Sequence, residues 1–187
     1  MKNIFCLETE WDLSRTKRMR DKASMLPLLN FLEDSIGIEY VFRKVASRSD
    51  LNYYLSQLKY NTYKDYSIVY LAFHGSSKRI ELPAEVKKPL SFEELADISK
   101  GTLEDRIVHF GSCRTLYTSD RIIQDFKKIT GARIVSGYTK SIDFVKSSIL
   151  DIAYFSELNH TIKVGTIENK MQKYYGDLMN ELGLKIV

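Results

Sequence analysis

The chain has 187 residues, 44% hydrophobic and 28% charged, with a formal net charge of +4. That profile fits one ordinary globular domain with a substantial core and excludes a disordered or low-complexity chain. Two cysteines and three histidines, with no CxxC and no histidine pair at ligand spacing, exclude a disulfide scaffold and argue against a metal site or any cofactor held that way.

The elements alternate along the chain. IFCL (4–7) reads as a first strand, and a helix is predicted over 14–35 from the stripe Met25, Leu28, Leu29 and Leu32. IEYVFRKV (38–45) is a second strand, DLNYYLSQLKY (50–60) a helix, and YSIVYLAF (66–73) a third strand. RIEL (79–82) reads as a short accessory strand. LSFEELADIS (90–99) reads as a short helix, opened by the capping-box pair Ser91 and Glu94. RIVHFGS (106–112) is a fourth core strand, and SDRIIQDFKKITG (119–131) a helix stopped by Gly131. ARIVSGY (132–138) is a fifth strand, followed by helices over 143–159 and 167–182 and a last strand at 184–187.

This alternation predicts an α/β layered domain over 1–187 with a mostly parallel sheet flanked by helices. The third to fifth strands are almost continuously apolar, as strands covered on both faces should be. No apolar run reaches membrane-spanning length, and MKNIFCLETEW lacks a signal-cleavage pattern, so a cytoplasmic chain that does not engage membrane is expected. The densest basic run, SRTKRMRDK (14–22), carries no aromatic platform and reads as a solvated helix face rather than a nucleic-acid site.

In such sheets the functional crevice lies at the carboxyl ends of the strands. The third strand ends in His74-Gly75, and the fourth in Gly111-Ser112-Cys113. Adjacent parallel strands lie about 4.8 Å apart, so these tips fall on one edge. An imidazole beside a thiol can promote the thiolate and later protonate a leaving amine, the minimum equipment of nucleophilic acyl transfer. The amides of Gly75 and Cys113 are candidate oxyanion donors. Each residue alone has an ordinary alternative, a loop histidine and a small buried thiol; their convergence with glycine at both tips favours a dyad. Cys6 and His109 lie mid-strand and read as core, and His160 as an exposed residue after a helix.

At AFHGSS and HFGSCRT the sequence resembles the caspase-like cysteine peptidases, closest to the bacterial CHAT branch related to separase. The likeness runs from about residue 66 to 158 and includes RIEL, LSFEELADIS and IVSGYTKSIDFVKSSILDIAYF. It departs at Cys113-Arg114-Thr115, at Tyr138 in place of tryptophan, and at Asp143, offset from the family's acid. The resemblance implies a three-layer α/β/α caspase-like fold and a cysteine endopeptidase. His74 would be its general base and acid, Cys113 its nucleophile, and a polypeptide its substrate. It also implies control by an activator protein, a homodimer or a small signal ligand.

The loop after the first strand carries Glu8, Glu10 and Asp12, and Asp143 opens a later helix. Together they are expected to favour a cationic side chain before the scissile bond, although Asp143 also suits an N-cap. The competing function is a catalytically inactive caspase-like module that binds a small ligand or a protein in the same crevice. The absence of GxGxxG, GxxxxGK[ST] and GxSxG weakens nucleotide-binding and serine-hydrolase readings.

Overall fold

A computed structural model describes residues 2–11 and 23–187. The basic run 14–22 and Asp12 lie outside the described residues. Nine strands and six helices follow in chain order among the described residues: β1 (Ile4–Glu8), α1 (Leu26–Ile36), β2 (Tyr40–Lys44), α2 (Arg48–Gln57), β3 (Ile68–Ala72), β4 (His74–Ser76), β5 (Arg79–Glu81), β6 (Leu90–Ser91), α3 (Phe92–Ile98), β7 (Ile107–Phe110), α4 (Asp120–Thr130), β8 (Ile134–Tyr138), α5 (Phe144–His160), α6 (Val164–Leu182) and β9 (Leu184–Ile186).

The main sheet has the order β2-β1-β3-β7-β8-β9. All its pairings are parallel except β8 with β9. Side chains alternate along each strand, so every central strand feeds two cores. Ile4, Cys6, Ile68, Tyr70, Ile107 and Ile134 face α1, α5 and α6. Phe5, Leu7, Val69, Leu71, Val108 and Val135 face α2, α3 and α4. This is the mixed α/β architecture that the alternating sequence predicts, with apolar residues on both strand faces because helices cover both.

The differences have local causes. Of the helix predicted over 14–35, residues 14–22 lie outside the described residues; Ala23–Met25 are non-helical, and α1 starts at Leu26 with Pro27 in its first turn, where a missing N–H costs nothing. Helix α2 starts earlier than expected, at Arg48, because Ser47 and Asp50 form a capping box. The expected box Ser91–Glu94 caps α3, and Gly131 (φ 82°) ends α4 in the left-handed conformation.

The third strand does not run straight into a loop. It breaks at Phe73, and the chain re-enters as β4 in a separate antiparallel sheet, β4-β5-β6. The accessory strand RIEL is the middle member of that sheet. The strand order reverses between β1 and β3, which places a crevice at their carboxyl ends beside β7.

Candidate active site

Pairing persists just beyond the strand ends. The Thr9 amide donates to Ala72 O at 3.1 Å and the Gly111 amide to Leu71 O at 3.0 Å. The exits of β1, β3 and β7 are therefore held level, and the segments leaving these three strands meet at one edge of the sheet.

After β7, Gly111-Ser112-Cys113 turns away from the sheet into a loop stitched on both sides. Ser112 Oγ and Thr115 Oγ1 share a hydrogen bond at 2.6 Å. The Arg114 amide donates to Lys140 O at 3.0 Å and the Leu116 amide to Tyr138 O at 3.1 Å. Arg114 sits at φ 54°, a left-handed conformation uncommon outside glycine. The Cys113 side chain is half-buried, and the Ile142 amide donates to its Sγ at 3.4 Å. The Cys113 amide has no hydrogen-bond partner among the described residues.

After β3, Phe73 is buried and His74 opens the small sheet. His74 Nε2 contacts the carbonyl oxygen of Trp11. A carbonyl only accepts, so Nε2 is the donor in this contact. The Trp11 ring meets the imidazole edge-on at 5.4 Å and Phe144 at 5.2 Å. His74 and Cys113 line one cavity of 150 Å³, with Trp11, Met25, Phe73, Ile142 and Phe144 giving it an apolar wall.

At Gly75 the hairpin lies directly against the cysteine loop. A Cβ there would lie 2.4 Å from Thr115 Oγ1, 2.8 Å from Cys113 O and 2.9 Å from Ser112 Cβ. Only glycine lets the hairpin lie against the cysteine loop at this separation. Ser77 Oγ donates to Tyr117 O at 3.0 Å and ties the hairpin's far end to the same loop.

The acidic residues are placed differently from expectation. Glu8 is fully buried. Its carboxylate accepts from Trp11 Nε1 at 2.9 Å, from Ser24 Oγ at 2.9 Å, from the Met25 amide and from Lys44 Nζ. The substrate-binding role expected for Glu8 is therefore corrected: its charge is consumed inside the fold, and it fixes Trp11. Asp143 Oδ1 caps α5, accepting from the amides of Val145 at 3.0 Å and Lys146 at 2.9 Å. Glu10 is exposed and lines a different cleft, beside Lys44 and Tyr54. None of Glu8, Glu10 and Asp143 lines a cavity that reaches Cys113.

Beneath the tips lies a buried polar cluster. Asp151 of α5 accepts from Tyr70 at 2.6 Å, from Tyr138 at 2.5 Å and from His109 Nε2 at 2.8 Å. His109 Nδ1 bonds Ser136 Oγ at 2.9 Å. His109 is core, as its mid-strand position predicts; Asp151 has no signal in the sequence to separate it from a solvated helix residue. Burial, then the Asp151 charge, push the Tyr70 and Tyr138 phenols well above their ordinary range. The Tyr70 ring also packs under Gly111, where a Cβ would lie 2.5 Å from Cε2. Cys6 is fully buried, and burial followed by the Glu8 charge holds its thiol well above the usual value. It stays protonated and out of reach.

A family model described as a family of unknown function (DUF6642) matches residues 1–187, and the chain belongs to that family. No curated protein matches. Among solved structures the chain is similar to a secreted C11 cysteine protease from Bacteroides thetaiotaomicron, determined in complex with an irreversible peptide inhibitor. The TM-score is 0.56 at 7% identity, over 82% of this chain and 54% of that one. The chain thus has the caspase-like fold and spans about half the length of that protease. No helix among the described residues is long and apolar enough to cross a membrane.

Proposed function

We propose that the protein is a cysteine peptidase that hydrolyses peptide bonds of a polypeptide substrate, with Cys113 as nucleophile and His74 as general base and acid. The observation that carries this reading is one cavity lined by both side chains, with the imidazole anchored through Nε2 to the Trp11 carbonyl. That anchor is the third group of a nucleophile–base–orienter arrangement. It leaves Nδ1 as the proton-accepting nitrogen.

Nδ1 takes the thiol proton, and the sulfur attacks the substrate carbonyl carbon. An S–C bond forms while the carbonyl electron pair moves onto oxygen. The amides of Gly75 and Cys113 are the donors assigned to that oxyanion, a contribution of about 3–4 kcal/mol per donor. The C–N bond then breaks, and the nitrogen leaves with the proton held by His74. Water, deprotonated by the same imidazole, attacks the thioester and releases the acid and the free thiol.

Both cysteines are free, which suits a reducing compartment such as the cytoplasm. The CHAT-type motifs His74-Gly75 and Ser112-Cys113 support a place near that branch, where an activator protein, a dimer or a small ligand would control the activity.

The test is alkylation by a peptide-like electrophile, read by mass spectrometry at both cysteines. Cys113 should react at least a hundredfold faster than Cys6, and His74→Ala should remove most of that advantage. Equal slow labelling of both cysteines in the intact chain, unchanged by His74→Ala, would overturn the assignment in favour of a binding module.

A further inference from the structure

Two cavities with different linings meet at Cys113. The one shared with His74 is small and apolar. The other, of 480 Å³, runs along the β4–β5 hairpin on the side of Gly75 and is lined mainly by serine and charged residues. Its charged lining is Lys78, Arg79 and Arg114 against a single acid, Glu93.

Among the described residues none of the three cations is paired with a carboxylate. Arg114 instead lies over the Tyr117 ring at 5.2 Å. Lys78 and Arg114 both occupy left-handed backbone positions, at φ 61° and 54°, in tight turns that fix where their stems begin. The surplus positive charge of this cleft therefore has no carboxylate partner among the described residues. All three cations fall within about a Debye length of a chain laid in the cleft.

We propose that this cleft receives acidic side chains of the substrate polypeptide. The cleaved bond then joins an apolar residue, held in the small cavity, to an acidic stretch on the other side of the sulfur. This deepens the peptidase reading and rests on it for the word substrate; the binding preference itself does not need cleavage. Arg79 and Arg114 can each take a carboxylate through two parallel N–H donors, and Lys78 adds a point charge. The preference is opposite in sign to the one the acidic residues of the sequence suggest, because Glu8 is internal and Asp143 caps a helix.

Trp11, the chain's one tryptophan, lines the apolar cavity, so its fluorescence reports occupancy at the site itself. The Cys113→Ala chain would be titrated with three tryptophan-free peptides that share an apolar centre and carry Asp, Asn or Lys on both flanks. The Asp peptide should bind about tenfold tighter than the Lys peptide at low salt, from two or three cation contacts each worth a two- to fivefold factor. The gap should narrow as salt is raised. Lys78→Glu with Arg79→Glu should invert the order. Equal affinities, a preference for Lys, an unchanged order in the charge-reversed chain, or no binding at all would each overturn the proposal. Incubating the wild-type chain with the same peptides separates the two readings. Preferential binding of Asp peptides by a wild-type chain that neither cleaves them nor is alkylated faster at Cys113 than at Cys6 removes the peptidase and keeps the cleft, whereas cleavage indifferent to charge does the reverse.

Discussion

Replacing Gly75 by alanine places one methyl group where the two strand tips touch. The added Cβ would meet Thr115 Oγ1 at 2.4 Å and Cys113 O at 2.8 Å, with Ser112 Cβ at 2.9 Å. The nearest of these is about 1 Å inside ordinary contact distance. None of the three neighbours can swing aside freely. Thr115 Oγ1 is bonded to Ser112 Oγ, and the Cys113 loop is pinned by the amides of Arg114 and Leu116. The hairpin must therefore move away from the loop by roughly that distance. Overpacking of this kind costs about 2 kcal/mol. For a chain of 187 residues that lowers Tm by about 4–8 °C. Displacing reacting groups by about 1 Å lowers a rate on the order of a hundredfold. The assay pairs a thermal melt with the ratio of Cys113 to Cys6 alkylation, which corrects for a general change in reagent access. Thr115→Ala in the same chain removes the closest atom and should recover part of both losses, a coupling that independent sites would not show. A Gly75→Ala chain with unchanged melting and unchanged Cys113 labelling would refute the claim that this contact sets the geometry of the site.

Glu8→Gln should lower stability by about 2–3 kcal/mol, seen as a reduced urea midpoint at constant slope, because an amide cannot accept from all four donors now facing the buried carboxylate. It should slow Cys113 alkylation through the loosened Trp11 while leaving the charge preference for peptides as it was; a changed preference would return Glu8 to the substrate pocket. Alkaline titration should divide the tyrosines. Burial raises the Tyr70 and Tyr138 phenols in the folded chain, so their neutral forms favour folding below the ordinary value of 10.0, and stability falls as pH rises beyond it, where only the unfolded chain sheds those protons. Phenolate absorbance should therefore rise in a fast phase from exposed tyrosines and then in a cooperative phase that coincides with unfolding; one fast phase for every tyrosine would contradict the buried cluster.

The main sheet was legible because its signal is redundant. Ile68–Ala72, Ile107–Phe110 and Ile134–Tyr138 are buried at every position and almost continuously apolar, as a sheet covered on both faces requires; the polar exceptions, His109 and Ser136, bond each other. Helix starts were legible where side chains announce them, as at Ser91–Glu94. The non-helical Ala23–Met25 have no sign in the sequence, since Met25 belongs to the same apolar stripe that continues across Pro27 to Leu32. The break at Phe73 left no trace, since an apolar residue suits both a strand interior and a buried corner. That break sends His74 into a second sheet, and the second sheet carries Gly75 to the cysteine loop.

The site divides the same way, between what residue types can say and what only the folded backbone can. His74 and Cys113 stand out by chemistry and position. Their supports do not. The group that orients the imidazole is the main-chain oxygen of Trp11, an atom every residue possesses. The partner of the sulfur is the main-chain N–H of Ile142. Charge was the most misleading signal, because sequence shows the sign of a side chain and not the side of the surface on which it ends. Glu8 and Glu10 sit two residues apart at the exit of β1, yet the first is sealed among four donors and the second is exposed. Lys78, Arg79 and Arg114, scattered across two segments, come together only because the hairpin folds over the cysteine loop. The contact at Gly75 thus brings the imidazole and the sulfur to one cavity, and it also builds the cationic cleft. A single displacement there should degrade reactivity and charge preference together, whereas reversing the charges of Lys78 and Arg79 should change the preference alone.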